Sequence, residues 1–563
     1  MMILLSRGLL AGLKNSRLFW FGISLGAILL CIAISYQNNL IPDFFVGEEY
    51  DKIRYPALNN HLASWVSYFL DKGRPIEGIY WTYLYKIVGF QPKIFHLASI
   101  VLHLMATLLA TIVFCRTLSK TGVSTNNWRL GILIVVLFFN AYSVNLFFKI
   151  SLDAPIIAVA TFFASTFAFQ SFARSDFTSY GWLLVTILMF LFTIFNYEVA
   201  VFLFPATLLL SWPLLSETRR TKRLAHIFIL AGFTSCLVVL IPYKIYALIE
   251  TSRGVGIANP AMSAGSQSIS SLISQVPQRY VSYLTEFGEG LYAQGSWQRI
   301  SLYGLVVLFL LGTFLLFRAL PLKGATRRFF EDPKYASLLA ALWITTFSLL
   351  PYALIGYFAN SIRAFSAAIF GILIFVSVTV LFEKRRLFRS AGLLLLLLSV
   401  AIGINQFFLR SRDLMQLREH YFSYFIDFAK LVPGILPGTN LVLIEHNPGS
   451  LSGCPGMFML LYNVKDITCG VIGTEPVFMA ERFESVIHAH YGGWLRGDNE
   501  VLVGRRSSGE FYLIDSIESS SHLLVTWHVT DPIKTDYTRI VRDRSAPNSE
   551  MYFYLIDTWG SGN

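Results

Sequence analysis

Apolar stretches of about 20 residues recur along the chain as far as residue 408. A helix of about 20 apolar residues crosses the hydrocarbon core of a bilayer. The pattern therefore predicts a polytopic α-helical membrane protein with about 11 transmembrane helices. The approximate spans are 18–36, 94–115, 129–147, 152–173, 181–196, 198–215, 225–246, 298–318, 335–356, 364–382 and 389–408.

The loops that follow every second span are short and basic. They contain Arg116 and Lys120, then Arg174, then the run 219–223, then residues 323–334, and finally 384–389. Because short cytoplasmic loops carry an excess of Lys and Arg, we expect a cytoplasmic N-terminus. The odd number of spans then puts the C-terminal part outside the cytoplasm, in the periplasm if the protein lies in a bacterial inner membrane. The basic N-terminal segment before residue 18 favours a retained signal anchor.

The composition agrees with this class of protein. The chain of 563 residues is 55% hydrophobic and only 14% charged, whereas soluble domains carry about 25% charged residues. The net charge of +11 is explained by the basic loops better than by a nucleic-acid partner. The chain has no P-loop, no HExxH motif and no dinucleotide glycine fingerprint after a strand.

Residues 409–563 have a different pattern and predict a separate extracytoplasmic domain, small α/β or β-rich. A helix is expected over about 411–431, followed by strands at PGTNLVLIEH, EVLVGR, GEFYLIDS, HLLVTWHV and MYFYLID. Cys454 and Cys469 are close enough in sequence to form a disulfide in an oxidising compartment. The alternative is that both remain thiols.

Two of the predicted external segments are long. Residues 37–93 mix aromatic and polar residues, which favours helices lying at the membrane interface. Residues 250–297 begin with a Gly/Ser-rich stretch, which is expected to be either a lid over a groove or a plain connector.

The first of these segments carries the most informative charges. Glu48, Glu49 and Asp51 lie near Arg54, and Arg74 follows in a DKGRP turn. A sugar transferase needs a carboxylate to accept the proton of the attacking hydroxyl and cations to hold the phosphate of the leaving group. The alternatives are a solvated charged loop and, for Arg74, binding to lipid headgroups.

Further polar residues lie at the predicted external ends of other spans. Lys149 and Asp153 flank one turn, Glu198 interrupts a hydrophobic hairpin, and Arg363 precedes the tenth span. Carboxylates at such depth are costly unless they are partnered. An ion pair at helix ends explains the first two residues equally well, and simple snorkelling explains Arg363. His96 and His103, seven residues apart on one helix face, favour a packing or hydrogen-bonding role.

The order of these features resembles the GT-C superfamily of membrane glycosyltransferases, which use polyprenyl-phosphate sugars. An acidic pair follows the first span, then a GRP turn, then a G-x-x-P-x-x-F-H entry to the second span with another His beyond it. The nearest resemblance is to the protein O-mannosyltransferase-like branch and to bacterial O-antigen glucosyltransferases. The resemblance covers the membrane part of the chain and is best in residues 44–105.

This resemblance implies transfer of one hexose or pentose, with inversion, from a polyprenyl-phosphate donor to a glycan or lipid of the cell envelope. It implies a base in the first external loop, where Glu48 and Glu49 occupy the place of an acidic pair that is more often Asp, and where Asp51 is also a contender. A second acid is expected near Asp153, and Arg74 and Arg363 are expected to hold phosphate. No cofactor is required, although acids beside a phosphate allow Mg²⁺ or Mn²⁺ to bind.

Two other classes of function remain open from the residues. One is a transporter or flippase for a lipid-linked glycan, whose charges are expected to line a path through repeated halves. The other is a non-catalytic assembly subunit. The charges gather at the external side and the sequence shows no sustained repeat, which favours the enzyme.

Overall fold

The computed structural model is mostly helical. It describes residues 17–45, 48–72, 74–119, 128–140, 153–175, 178–215, 278–279, 303, 306–314, 316, 332–355, 362–383, 385–432, 434–435, 437–445, 454–465, 467–473, 500–505, 511–521, 524–529, 549–551 and 554.

Thirteen α-helices have defined bounds in this part of the chain. They are α1 (Arg17–Gln37), α2 (Glu48–Leu58), α3 (His61–Lys72), α4 (Pro75–Val88), α5 (Pro92–Leu118), α6 (Trp128–Phe138), α7 (Asp153–Arg174), α8 (Tyr180–Asn196), α9 (Phe204–Leu215), α10 (Pro333–Ile355), α11 (Ile362–Leu381), α12 (Arg386–Leu431) and α13 (Cys454–Tyr462). A 3₁₀-helix, Glu198–Leu203, leads into α9.

Four helices are long and apolar enough to cross a membrane. Within the described residues these stretches are Phe19–Gln37, Pro92–Leu118, Asp153–Arg174 and Arg386–Leu431, and four shorter apolar helices accompany them. They indicate a membrane-embedded protein. Of the other predicted spans, 225–246 lies outside the described residues, and so does the proposed lid at 250–297 apart from Gln278 and Arg279.

Helix α12 differs from the sequence-based expectation of a break after residue 408. It runs for 46 residues without interruption, because neither Gly nor Pro occurs after Gly403 until the helix has ended. A helix of this length measures about 69 Å, more than twice the roughly 30 Å hydrocarbon core of a bilayer. The helix is therefore longer than a single membrane span requires.

The chain divides into two compact units. The first comprises Met1–Ile41 and His96–Ser411. Within it, α7 packs on α8, and α10 packs on α11. Gly371 allows the close approach of α10 and α11, since a Cβ there would lie 2.7 Å from the carbonyl oxygen of Ala341. Small residues at helix contacts are the usual device for close packing in membranes.

The second unit comprises Pro42–Phe95 and Arg412–Asn563. It therefore contains the long segment between α1 and α5 together with the C-terminal part of the chain. Phe45 lies at the centre of an aromatic cluster, with ring centroids 5.3 Å from Phe90 and 5.5 Å from Phe95. Trp81 of α4 stacks on Phe95 at 5.4 Å. Aromatic packing thus joins α4 to the start of α5.

The second unit also contains one mixed five-stranded sheet. Its strands are β1 (Thr439–Glu445), β2 (Ile467–Gly473), β3 (Glu500–Arg505), β4 (Phe511–Ser521) and β5 (Leu524–Val529). They lie in the order β2-β1-β3-β4-β5. Strand β1 pairs in parallel with both β2 and β3, and the pairs β3–β4 and β4–β5 are antiparallel. The parallel pair β1–β2 is connected through α13, as parallel strands require a crossover.

Two details of this region differ from the sequence prediction. The strand expected at MYFYLID is wrong, since Glu550, Met551 and Tyr554 are helical. Strand β2, with the sequence ITCGVIG, is not among the predicted strands, because its two glycines weaken the β-pattern.

Candidate functional site

Helix α2 begins with the acidic run that the sequence analysis singled out. Acids in a first helical turn are favoured by the partial positive charge of the helix N-terminus. Glu49 is 1% exposed and Lys52 is 7% exposed, so one face of the helix buries charge. This burial argues against the alternative of a solvated charged loop at Glu49, and the role of Glu49 as a base stays a prediction.

A buried ion pair joins Lys52 of α2 to Glu77 of α4. The Glu77 side chain is fully buried, and an Nη atom of Arg74 lies 3.8 Å from its second carboxylate oxygen. The indole nitrogen of Trp81 donates to Glu77 at 3.4 Å. A carboxylate with no exposure is therefore surrounded by donors from two helices.

The charge state of Glu77 follows from these partners. Burial by itself opposes ionisation of the carboxyl. The positive charges of Lys52 and Arg74, together with the Tyr68 hydroxyl, outweigh burial and hold the pKa of Glu77 below its usual value. Burial of the Tyr68 hydroxyl, and next the negative charge of Glu77, raise the pKa of Tyr68 well above its usual value. The group is thus a charged cluster with two cations and one anion.

Arg54 contacts groups of its own unit. One guanidinium nitrogen donates to the hydroxyl of Tyr55 at 3.0 Å, and another donates to the sulfur of Met459 at 3.3 Å. Met459 belongs to α13, so Arg54 links α2 to that helix. The guanidinium also lies 4.8 Å from the centre of the Tyr55 ring, within cation–π range.

Several predicted site residues have side chains outside the described part of the structure. Glu48 and Asp51 lie in α2, Glu198 begins the 3₁₀-helix and Arg363 lies in the first turn of α11, with only the backbone of each described. Lys149 lies outside the described residues altogether. The roles given to these five residues stay predictions.

Asp153 belongs to the first unit, whereas Arg54 and Arg74 belong to the second. It starts α7, is 2% exposed, and accepts a hydrogen bond from Ser99 of α5. His103 is also buried, with its ring 5.6 Å from Phe138 and 5.5 Å from Phe370. These contacts agree with a packing role for His103.

A pocket of about 340 Å³ lies in the second unit. Its walls come from the C-terminal end of α2, the end of α4 with the following turn, the end of α13 and the short segment 549–551. The Tyr85 hydroxyl donates to a carboxylate oxygen of Glu550 at 2.6 Å and ties α4 to that segment. None of the residues that line this pocket was predicted from the sequence as a site residue.

Cys469 on β2 is disulfide-bonded. Cys31 and Cys115 are thiols, so of the five cysteines in the chain the partner is Cys454 or Cys236. Helix α13, which Cys454 begins, packs against β2. The pairing of Cys454 with Cys469 stays the prediction that fits this packing, because the Cys454 side chain is outside the described part.

Sequence reasoning missed the residues that organise this segment. Lys52 and Glu77 are 25 positions apart, and neither lies in a motif. A usable signal was present, since Glu77 is the one acid in the otherwise uncharged stretch from Pro75 to Leu84. A lone acid in an apolar helix requires a cationic partner, but the pattern does not say which one.

Among the residues that the structure describes, no group of three or more His, Cys, Asp or Glu side chains converges on one point as a metal site. No protein-family model, curated protein or solved structure matches the chain.

Proposed function

We propose that the chain is a GT-C-like glycosyltransferase that moves one sugar from a polyprenyl-phosphate donor to an envelope glycan or lipid outside the cytoplasm. The proposal includes about 11 membrane spans, a cytoplasmic N-terminus and an extracytoplasmic C-terminal domain that contains the sheet. A bacterial inner membrane, with its periplasmic face, is the setting that fits these features.

One observation carries the proposal. The segment between two apolar helices, α1 and α5, holds two buried carboxylates and three cations in a helical arrangement. These are Glu49 and Glu77, and Lys52, Arg54 and Arg74, of which Arg74 is partly open. Helix α4 ends only four residues before the apolar helix α5 begins, so the charged segment is close in sequence to a candidate span. Charged groups beside a bilayer are what a reaction between a lipid phosphate and a polar acceptor requires.

The charged cluster of Lys52, Arg74 and Glu77, called the ion cluster below, contains side chains with different roles in this proposal. Lys52 is held by Glu77, and the pair fixes α2 against α4. The side chain of Arg74 is 23% exposed, so it is the cation with room to reach a phosphate. With two cations and one anion, the cluster has a net positive charge, which attracts an anionic donor.

The reaction needs one base and one leaving group. A carboxylate among Glu48, Glu49 and Asp51 takes the proton of the acceptor hydroxyl while its oxygen attacks the anomeric carbon. The bond from that carbon to the phosphate oxygen breaks with inversion, and polyprenyl phosphate leaves with the electron pair. Arg74 and Arg363 stabilise the phosphate charge through charge-assisted hydrogen bonds.

The helical period distinguishes Asp51 from Glu49. Positions 51, 54 and 58 share one face of α2, and Arg54 and Leu58 on that face are half-buried. Glu49 falls on the opposite, buried face. The proposal therefore takes Asp51 as the first candidate for the base, because its position lies on the face opposite Glu49, and Glu49 is expected to act more through the packing of α2.

The test uses purified full-length protein in nanodiscs with a polyprenyl-phosphate hexose and an envelope lipid extract as acceptor. Release of polyprenyl phosphate is measured for Glu48→Gln, Glu49→Gln and Asp51→Asn. Loss of the base lowers the rate by roughly 10²–10⁴-fold. Glu419→Gln is the matched control, since Glu419 is an exposed acid of the same unit.

Melting curves of the same variants separate chemistry from folding. Asp51→Asn is expected to melt with the wild type, whereas Glu49→Gln changes a buried side chain and lowers the midpoint. If all three variants release polyprenyl phosphate at the wild-type rate, the acidic run is not catalytic. Flux of a lipid-linked glycan across vesicles then becomes the measurement of choice.

A further inference from the structure

The pocket at the end of α2 differs in chemistry from the ion cluster at its middle. Among the described residues that line it, Glu550 is the only charged one. Lys52 and Arg74 do not line it. A phosphate is therefore disfavoured here by the Glu550 carboxylate, and the pocket suits a ligand without negative charge.

The walls combine two kinds of surface. Leu58, Leu460 and Phe90 supply apolar groups, while Tyr85, Glu550 and Asn463 supply polar ones. A sugar ring has the matching character, because its C–H faces are apolar and its edge carries hydroxyls. The volume of about 340 Å³ falls within the roughly 300–1,000 Å³ typical of small-molecule sites.

The carboxylate is held in position before any ligand arrives. The 2.6 Å bond from Tyr85 fixes one oxygen of Glu550, and Glu550 itself is on the exposed side of its segment. Burial raises the pKa of Tyr85 above its usual value, and the Glu550 carboxylate raises it further. The phenol is therefore protonated and donates its hydrogen bond at neutral pH. A fixed acceptor of this kind lowers the entropic cost of binding a hydroxyl or an ammonium group.

We propose that this pocket binds an uncharged or amino-bearing hexose unit of the acceptor glycan, with Glu550 accepting its hydroxyl or ammonium hydrogens. The role as acceptor subsite rests on the proposed glycosyltransferase function. From position 51 to position 58, α2 rises about 10 Å, so the bound unit is not the one whose hydroxyl reacts. It is a remote contact that orients the acceptor, and such contacts contribute to rate through binding energy away from the reacting atoms.

Direct binding is the first test, because it does not depend on catalysis. Saturation-transfer NMR with full-length protein in nanodiscs uses three probes, the methyl glycosides of glucose, glucosamine and glucuronic acid. The first two are expected to bind and the glucuronide is not. Glu550→Gln keeps the shape of the side chain. It is expected to weaken the binding of the glucosamine glycoside at least 10-fold and to reduce the preference of the pocket for this glycoside over the glucuronide.

Occlusion of the pocket is the second test. Leu58→Trp adds an indole to the wall and is expected to abolish binding of both sugars. Ile87→Trp is the matched control, since Ile87 of α4 is 79% exposed and does not line the pocket. If neither sugar binds wild-type protein, or if both Glu550→Gln and Leu58→Trp bind as wild type does, the proposal is overturned.

Turnover separates this proposal from the proposed function. Leu58→Trp is expected to lose at least 10-fold more in transfer to the glycan extract than in transfer of the donor sugar to water, whereas Ile87→Trp is expected to keep both reactions. Equal loss of both reactions contradicts an acceptor subsite. Sugar binding that is sensitive to Glu550→Gln in a protein without any transferase activity refutes the enzyme but supports the binding site.

Discussion

Removing either member of the ion pair between Lys52 and Glu77 is expected to destabilise the protein to a different extent, because Glu77 has a second cation nearby. Removing the Glu77 carboxylate leaves Lys52 buried without this partner and with the positive charge of Arg74 nearby. Removing Lys52 leaves Glu77 with Arg74 still 3.8 Å away. Glu77→Gln is therefore expected to be more destabilising than Lys52→Met.

The magnitudes follow from the geometry. Breaking a buried pair from one side costs about 3–5 kcal/mol, and Glu77→Gln is expected to reach this range. In Lys52→Met, attraction between Arg74 and Glu77 at 3.8 Å is worth about 4 kcal/mol at an effective dielectric constant of about 20. Because Arg74 is partly exposed, screening reduces that value, and a net cost of about 1–3 kcal/mol is expected. The double variant Lys52→Met/Glu77→Leu removes both charges and is expected to cost less than Glu77→Gln alone.

Thermal unfolding in a mild detergent, followed by tryptophan fluorescence, measures these differences, since Trp81 lies beside Glu77 in the same unit. One kcal/mol corresponds to about 2–4 °C for a domain of 150–250 residues, so Glu77→Gln is expected to lower the midpoint by roughly 6–20 °C. Asp427→Asn is the control, since its pair with Lys430 is exposed. The reasoning is refuted if Lys52→Met melts below Glu77→Gln, or if the double variant is the least stable of the three.

The remaining predictions concern pH, the disulfide, helix packing and topology. Because the pKa of Glu77 is lower in the folded protein than the value of about 4.3 in the unfolded chain, its ionisation stabilises the fold above about pH 4. The difference in melting midpoint between wild type and Glu77→Gln should therefore be constant near neutral pH and shrink below about pH 4. A difference that stays constant at lower pH contradicts this sign. Cys454→Ser should make Cys469 reactive to maleimide and lower the free energy of unfolding by about 3 kcal/mol, the value for a closed loop of roughly 15 residues. Cys236→Ser should do neither. The reverse result assigns the disulfide to Cys236. Gly371→Ala should lower the free energy of unfolding by about 1–3 kcal/mol through overpacking, because its Cβ would lie 2.7 Å from backbone atoms of Ala341 and Thr345. Gly26→Ala is the control, since its Cβ would have no atom within 4 Å, and it should not change the midpoint in the same melting assay. A periplasmic reporter fused after Asn563 should be active, and activity of a cytoplasmic reporter there instead would reverse the orientation.

The sequence by itself determined the features that depend on local pattern. Apolar runs near 20 residues predicted helices at the right places, as for α1, α5 and α7, because hydropathy and helix length are properties of contiguous residues. Strand patterns predicted β1 and β3 to β5 for the same reason. The acidic run and the GRP turn marked the segment that carries the charge cluster.

Only the tertiary structure decided how distant residues combine. Glu77 is matched to Lys52 across two helix boundaries, and Tyr85 is matched to Glu550 across 465 positions. Neither pairing leaves a periodic signal, because side chains far apart in sequence meet only after the backbone between them has folded. Burial is decided in the same way: Glu49 looks like a surface acid in the sequence, yet the fold leaves it almost no exposure. The pattern of residues therefore located the charged segment, and packing decided that Lys52 and Glu77 form a buried ion pair while Arg74 stays partly exposed.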